Sequence, residues 1–65
     1  MTEQEANTMV YLMTRTPEGS IVKSERTASL ATFEQTMAEI GAVYSELQGV
    51  WEDEEGFTYW AKAAK

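Results

Sequence analysis

The run Glu52-Asp53-Glu54-Glu55, preceded by Trp51 and followed after one glycine by Phe57, is the densest group of chemistry-bearing side chains in the sequence. Three chemistries could use it. An EF-hand-type metal loop needs acids at alternate positions, a central glycine and a distant bidentate Glu, and four adjacent acids do not supply that spacing. General acid–base work needs a pocket that desolvates one carboxyl and drives the two pKa values apart, which neighbouring acids at an exposed turn lack. Recognition of Arg and Lys needs only negative charge beside an aromatic ring, for ion pairs and cation–π contacts. The types and spacing therefore favour a partner-binding loop formed by Trp51, Glu52, Asp53, Glu54 and Glu55, with Trp60 as a further aromatic anchor. The plain alternative is a solvated turn.

Little else in the chain can support catalysis. Cysteine and histidine are both absent, which removes the thiolate nucleophile, the imidazole base, the disulfide and the usual zinc ligands. No serine lies in a Gly-x-Ser-x-Gly context, and the glycines at 19, 41, 49 and 56 are too dispersed to cradle phosphate. No catalytic residue, cofactor or metal is expected. Eleven acidic against five basic residues leave a formal charge of -6, so nucleic acid is a poor direct ligand. A protein with a basic surface is the fitting partner.

The elements that must carry this loop can be read in order. Residues 1–8 form a polar tail with neither the basic start nor the apolar stretch of a signal peptide. Met9-Val10-Tyr11-Leu12-Met13 is short, partly β-branched and apolar on both faces, as a central strand is. Thr16-Pro17-Glu18-Gly19-Ser20 is a turn in which Pro17 presets φ, so a hairpin leads to a more polar return strand over residues 21–27. Thr27, Ser29 and Thr32 are candidate N-caps. Phe33, Met37, Ile40, Tyr44 and Leu47 recur at helical spacing and predict one stripe of a helix about four turns long, with Phe33 and Tyr44 in the core. Gly41 then falls inside the helix, where a backbone could approach, and Gly49 is the expected stop. Residues 50–60 read as a hairpin, or as a loop entering a last strand. The chain should end in a few frayed residues, 63–65.

Strand, strand, helix and one or two further strands make an α+β fold, a small antiparallel sheet with one helix packed on one face, over residues 9–62. The other sheet face is left open. Ordering 65 residues costs on the order of 100 kcal/mol of conformational entropy, which a core this small offsets narrowly. With no disulfide or zinc to help, a homodimer through Met9, Tyr11 and Met13 is expected.

In size, acidity and lack of catalytic residues the chain is similar in kind to small phage-encoded inhibitors of host enzymes, including antirestriction and anti-CRISPR proteins that present acids where DNA would lie. No motif carries the likeness. It implies a non-catalytic inhibitor that places its acids on a basic, nucleic-acid-binding site of a target protein. The alternative is a homodimeric interaction module whose acidity serves solubility. No apolar run approaches the roughly 18 residues of a membrane span, and a cytoplasmic location is expected, the host's if the chain is phage-encoded.

Overall fold

The computed structural model describes residues 7–64. Five strands and one helix follow in the order β1 (Met9–Arg15), β2 (Ile21–Ser29), α1 (Leu30–Glu39), β3 (Val43–Ser45), β4 (Val50–Glu52) and β5 (Thr58–Ala63). The strands form one antiparallel sheet in the spatial order β2-β1-β5-β4-β3. The fold is the expected α+β sheet with one helix, and residues 50–60 take the hairpin form. The expected tail over 1–8 falls mostly outside the described residues, but the Thr8 carbonyl accepts the Leu30 N–H at 2.8 Å. At the other end β5 reaches Ala63, which pairs with Val10, and the Ala64 N–H donates to the Met9 carbonyl at 3.2 Å.

Strand β5 lies at the centre because the hairpin with β4 fills one of its edges and long-range pairing with β1 the other. Leu12 pairs with Ala61 and Met13 with Trp60, so the last strand inserts beside the first. Three β2 residues, Ser24, Glu25 and Arg26, stand opposite the single Leu12, between the pairs Tyr11–Thr27 and Met13–Lys23. This irregularity takes the Leu12 N–H out of the ladder. The Ser24 hydroxyl oxygen accepts it instead at 3.0 Å and donates its own proton to the Arg26 carbonyl at 2.8 Å, so the half-buried amide keeps a partner.

Helix α1 starts at Ser29, whose hydroxyl accepts the Thr32 N–H at 3.2 Å. Its end corrects the sequence reading. The helix stops at Glu39, ten residues long, and Gly41 adopts φ +76°. The Ala42 N–H returns to the Met37 carbonyl and the Gly41 N–H to the Ala38 carbonyl, the paired bonds of a Schellman termination. A Cβ on Gly41 would meet nothing within 4 Å, so the glycine answers a dihedral requirement and no close approach of backbone. Tyr44 and Leu47 are consequently not helical: Tyr44 is a half-exposed strand residue and Leu47, in the β3–β4 turn, is fully exposed. Gly49 belongs to that same turn, its N–H bonded to the Ser45 carbonyl at 2.7 Å.

Val10, Phe33 and Met37 are the buried core, with Leu12, Leu30, Ala42, Trp51, Tyr59 and Ala61 packed around them. Alternate residues along β1 and β5 thus face the helix. Met9, Tyr11, Met13 and Trp60 face the other way. No helix among the described residues is long and apolar enough to cross a membrane.

Candidate functional site

The acidic run forms the end of β4 and the turn into β5. Asp53 is its organiser. One carboxylate oxygen, Oδ1, accepts the N–H groups of Glu55 at 2.9 Å and Phe57 at 3.0 Å, while Oδ2 accepts the Tyr59 hydroxyl at 2.7 Å. The Asp53 N–H donates to the Phe57 carbonyl at 3.1 Å, which closes the turn. An Asx side chain that bonds its own following backbone is a local reason for a turn to form. The Tyr59 hydrogen bond holds the Asp53 carboxyl below its ordinary value; burial opposes it, and the backbone N–H donors add smaller lowering effects. Burial first, then the hydrogen bond to Asp53 and the negative charges of Asp53 and Glu55, push the Tyr59 phenol up to about 12.

Asp53 is therefore committed to the turn, and Glu54 and Glu55 are left exposed upon it. They line a notch of 260 Å³ with Asp53, Ile40 and Gly41. The notch joins three features that suit a Lys or Arg side chain: exposed carboxylates, the apolar Ile40 side chain for the aliphatic stem, and the C-terminal end of α1, the negative end of the helix dipole. Glu52 is exposed as well, but its pairing with Thr58 sets it on the open sheet face.

The two tryptophans do not share a site. Trp51 pairs with Tyr59, is half-buried on the helix side and meets Tyr44 edge-on at 5.4 Å between ring centroids. Trp60 lies on the opposite face, beside Met13. The single surface expected from Trp51, Glu52, Asp53, Glu54, Glu55 and Trp60 is thus divided among the helix side, the turn and the open face.

That open face carries what the linear sequence concealed. Pairing brings Arg15 beside Thr58 and Ile21, Met13 beside Trp60 and Lys23, and Tyr11 beside Lys62. Three basic residues that are scattered along the chain thereby surround Tyr11, Met13 and Trp60. The Lys23 ammonium sits over the Tyr11 ring, 4.6 Å from its centroid. Across β5, pairing of β4 stops at Trp51, and a hollow of 450 Å³ opens there between Arg15, Val50, Thr58 and Trp60 and the turn residues Gln48 and Gly49. On the helix side, a groove of 230 Å³ between α1 and β2 is lined mainly by Val10, Leu12, Phe33 and Met37 with the Thr32 and Thr36 side chains. Among the described residues no group of three or more acids is placed to hold a metal ion. Comparison with protein-family models, with curated proteins and with solved structures returned no match to this chain.

Proposed function

We propose that the chain is a non-catalytic regulator that binds a basic, nucleic-acid-handling surface of another protein through its acidic end. The observation that carries this reading is the notch in which Glu54 and Glu55 stand opposite the C-terminal end of α1 beside Ile40. The turn is fixed in advance by Asp53, so little conformational entropy is lost when a basic side chain enters. Overall charge of -6 adds long-range steering toward a basic target. Such a regulator works where its target does, in the cytoplasm.

Two neutralised baits of equal charge test the reading. One carries E54Q and E55Q; the other carries E25Q and E34Q, which lie on β2 and on α1. Proteins captured by the wild type and the second bait but lost by the first are the expected result, each confirmed by direct binding of the purified partner. Equal loss from both baits would show that net charge alone retains the partners, and the notch would have no special part.

A further inference from the structure

We infer that the open sheet face docks a second copy of this chain, about a two-fold axis that runs along β5. The pattern of residues across the sheet is the reason. At the level nearest the β4–β5 turn, pairing sets Ile21, Arg15, Thr58, Glu52 and Val43 side by side on β2, β1, β5, β4 and β3. One level further along lie Lys23, Met13 and Trp60 on β2, β1 and β5, followed by Val50 and Ser45 on β4 and β3. Strand β5 is the middle of the five.

A two-fold axis along the middle strand of two facing sheets lays β1 of one copy on β4 of the other, and β2 on β3. Each contact then occurs twice, as an isologous interface requires. Arg15 meets Glu52 of the second copy. Ile21 and Val43, which are 60% and 71% exposed at opposite edges of the sheet, cover one another. Met13 comes to the hollow walled by Val50 and Trp60, and an unbranched thioether side chain adapts well to such a space. Trp60 lies on the axis, where an aromatic anchor excludes most water. Lys23 meets Ser45 and so opposes no like charge. Lys62 lies on β5 and so comes near the second copy's Lys62 across the axis; exposed near the far end of the strand, the two long side chains can turn their ammonium groups apart into solvent.

Charge on this face changes sign across β5, from Arg15 on β1 to Glu52 on β4. A uniformly basic ligand would meet Arg15, Lys23 and Lys62, and a uniformly acidic one would meet Glu52. A strand of nucleic acid is further disfavoured because the Lys23 ammonium already occupies one side of the Tyr11 ring, the aromatic surface on which a base would stack. The same surface turned through 180° about β5 matches both halves.

Sedimentation at micromolar concentration tests the assignment, with circular dichroism to verify that each variant keeps its fold. The wild type should sediment as twice its 7.3 kDa chain mass. Arg15→Glu should set two pairs of carboxylates in opposition and weaken association at least about tenfold, and Glu52→Arg should do the same with two pairs of guanidinium groups. Combined in one chain, R15E and E52R should restore the dimer, because the sign change across β5 is merely inverted. Trp60→Glu should give a monomer. A monomeric wild type overturns the proposal, as does a dimer indifferent to the single charge reversals, or one that the double reversal fails to recover.

Discussion

Asp53 and Tyr59 lock the β4–β5 hairpin from its two sides, the phenol donating to Oδ2 at 2.7 Å while Oδ1 of the same carboxylate gathers two backbone N–H groups. The first acid of the exposed pair's turn is thus structural, and its partner is a ring packed against the core. Chemistry and architecture separate at a single residue boundary, between Asp53 and Glu54.

Tyr59→Phe removes one hydrogen bond and leaves the ring in place. Its expected cost is about 1 kcal/mol, a fall of about 4–8 °C in melting temperature for a domain of this size. Asp53→Ala removes the acceptor of all three bonds and should lower the melting temperature further, with Asp53→Asn between the two. Glu54→Gln and Glu55→Gln should leave it unchanged, since exposed charges contribute little to stability. Thermal unfolding of the five proteins would show whether Asp53 differs from its acidic neighbours; a common effect for all four acid substitutions and Tyr59→Phe would mean that it does not.

The same pair gives stability two pH limits. Asp53 has a folded pKa below the ordinary carboxyl value of 3.8, so its contribution is complete above that value and is lost as pH falls through the folded pKa. Tyr59 has a folded pKa raised from 10.0 to about 12, so its contribution is complete below 10 and disappears as pH rises toward 12. Denaturant midpoints measured across pH should decline at both ends. In Tyr59→Phe the alkaline decline between 10 and 12 should shrink.

Much of the fold was legible because its determinants are local. The Pro17–Gly19 turn, the Ser29 cap and the Phe33–Met37 spacing each lie within a few residues. The length of α1 was not legible, because Ile40, Tyr44 and Leu47 continue a helical period by chance beyond Gly41, and one left-handed residue overrides the period. The acidic turn could be placed, but the engagement of Asp53 with Tyr59 could not, since it depends on which face of β5 looks toward the helix. The grouping of Arg15, Lys23 and Lys62 depends on β5 inserting beside β1, a pairing of residues nearly the whole chain apart. No local pattern encodes that neighbour.

Gly41 offers a test whose sign depends on the structure. Inside a helix, Gly41→Ala would stabilise by about 1 kcal/mol. At φ +76° the added Cβ costs about 1–2 kcal/mol, even though it would touch no neighbour. A lower denaturant midpoint for Gly41→Ala is therefore expected, and a higher midpoint would mean that α1 continues past this position.

The helical stripe divides in the same way. Met37 is completely buried and Leu47 completely exposed. Met37→Ala should cost about 2–5 kcal/mol, a large part of the about 3–10 kcal/mol typical of a domain this long. Leu47→Ser should stay within about 0.5 kcal/mol of the wild type. Urea unfolding of both variants measures the contrast, and a substantial loss for Leu47→Ser would place that side chain in an interface or a core.

Ser24 carries the last of these tests, in the irregular stretch of β2. Three residues facing Leu12 would leave its N–H without a ladder partner, and the Ser24 hydroxyl supplies one by accepting at 3.0 Å while its own proton goes to the Arg26 carbonyl. Ser24→Ala removes the acceptor and leaves a half-buried amide unpaired, at a cost of about 1–3 kcal/mol. Ser24→Thr keeps the oxygen and should recover most of that stability. Hydrogen exchange localises the effect: in Ser24→Ala the Leu12 amide should exchange faster than the amides of Met13 and Tyr11, whose surroundings are untouched. Uniform acceleration along β1 would instead mean that the strand opens as a unit, and that the serine contributes to the whole β1–β2 pairing more than to one amide.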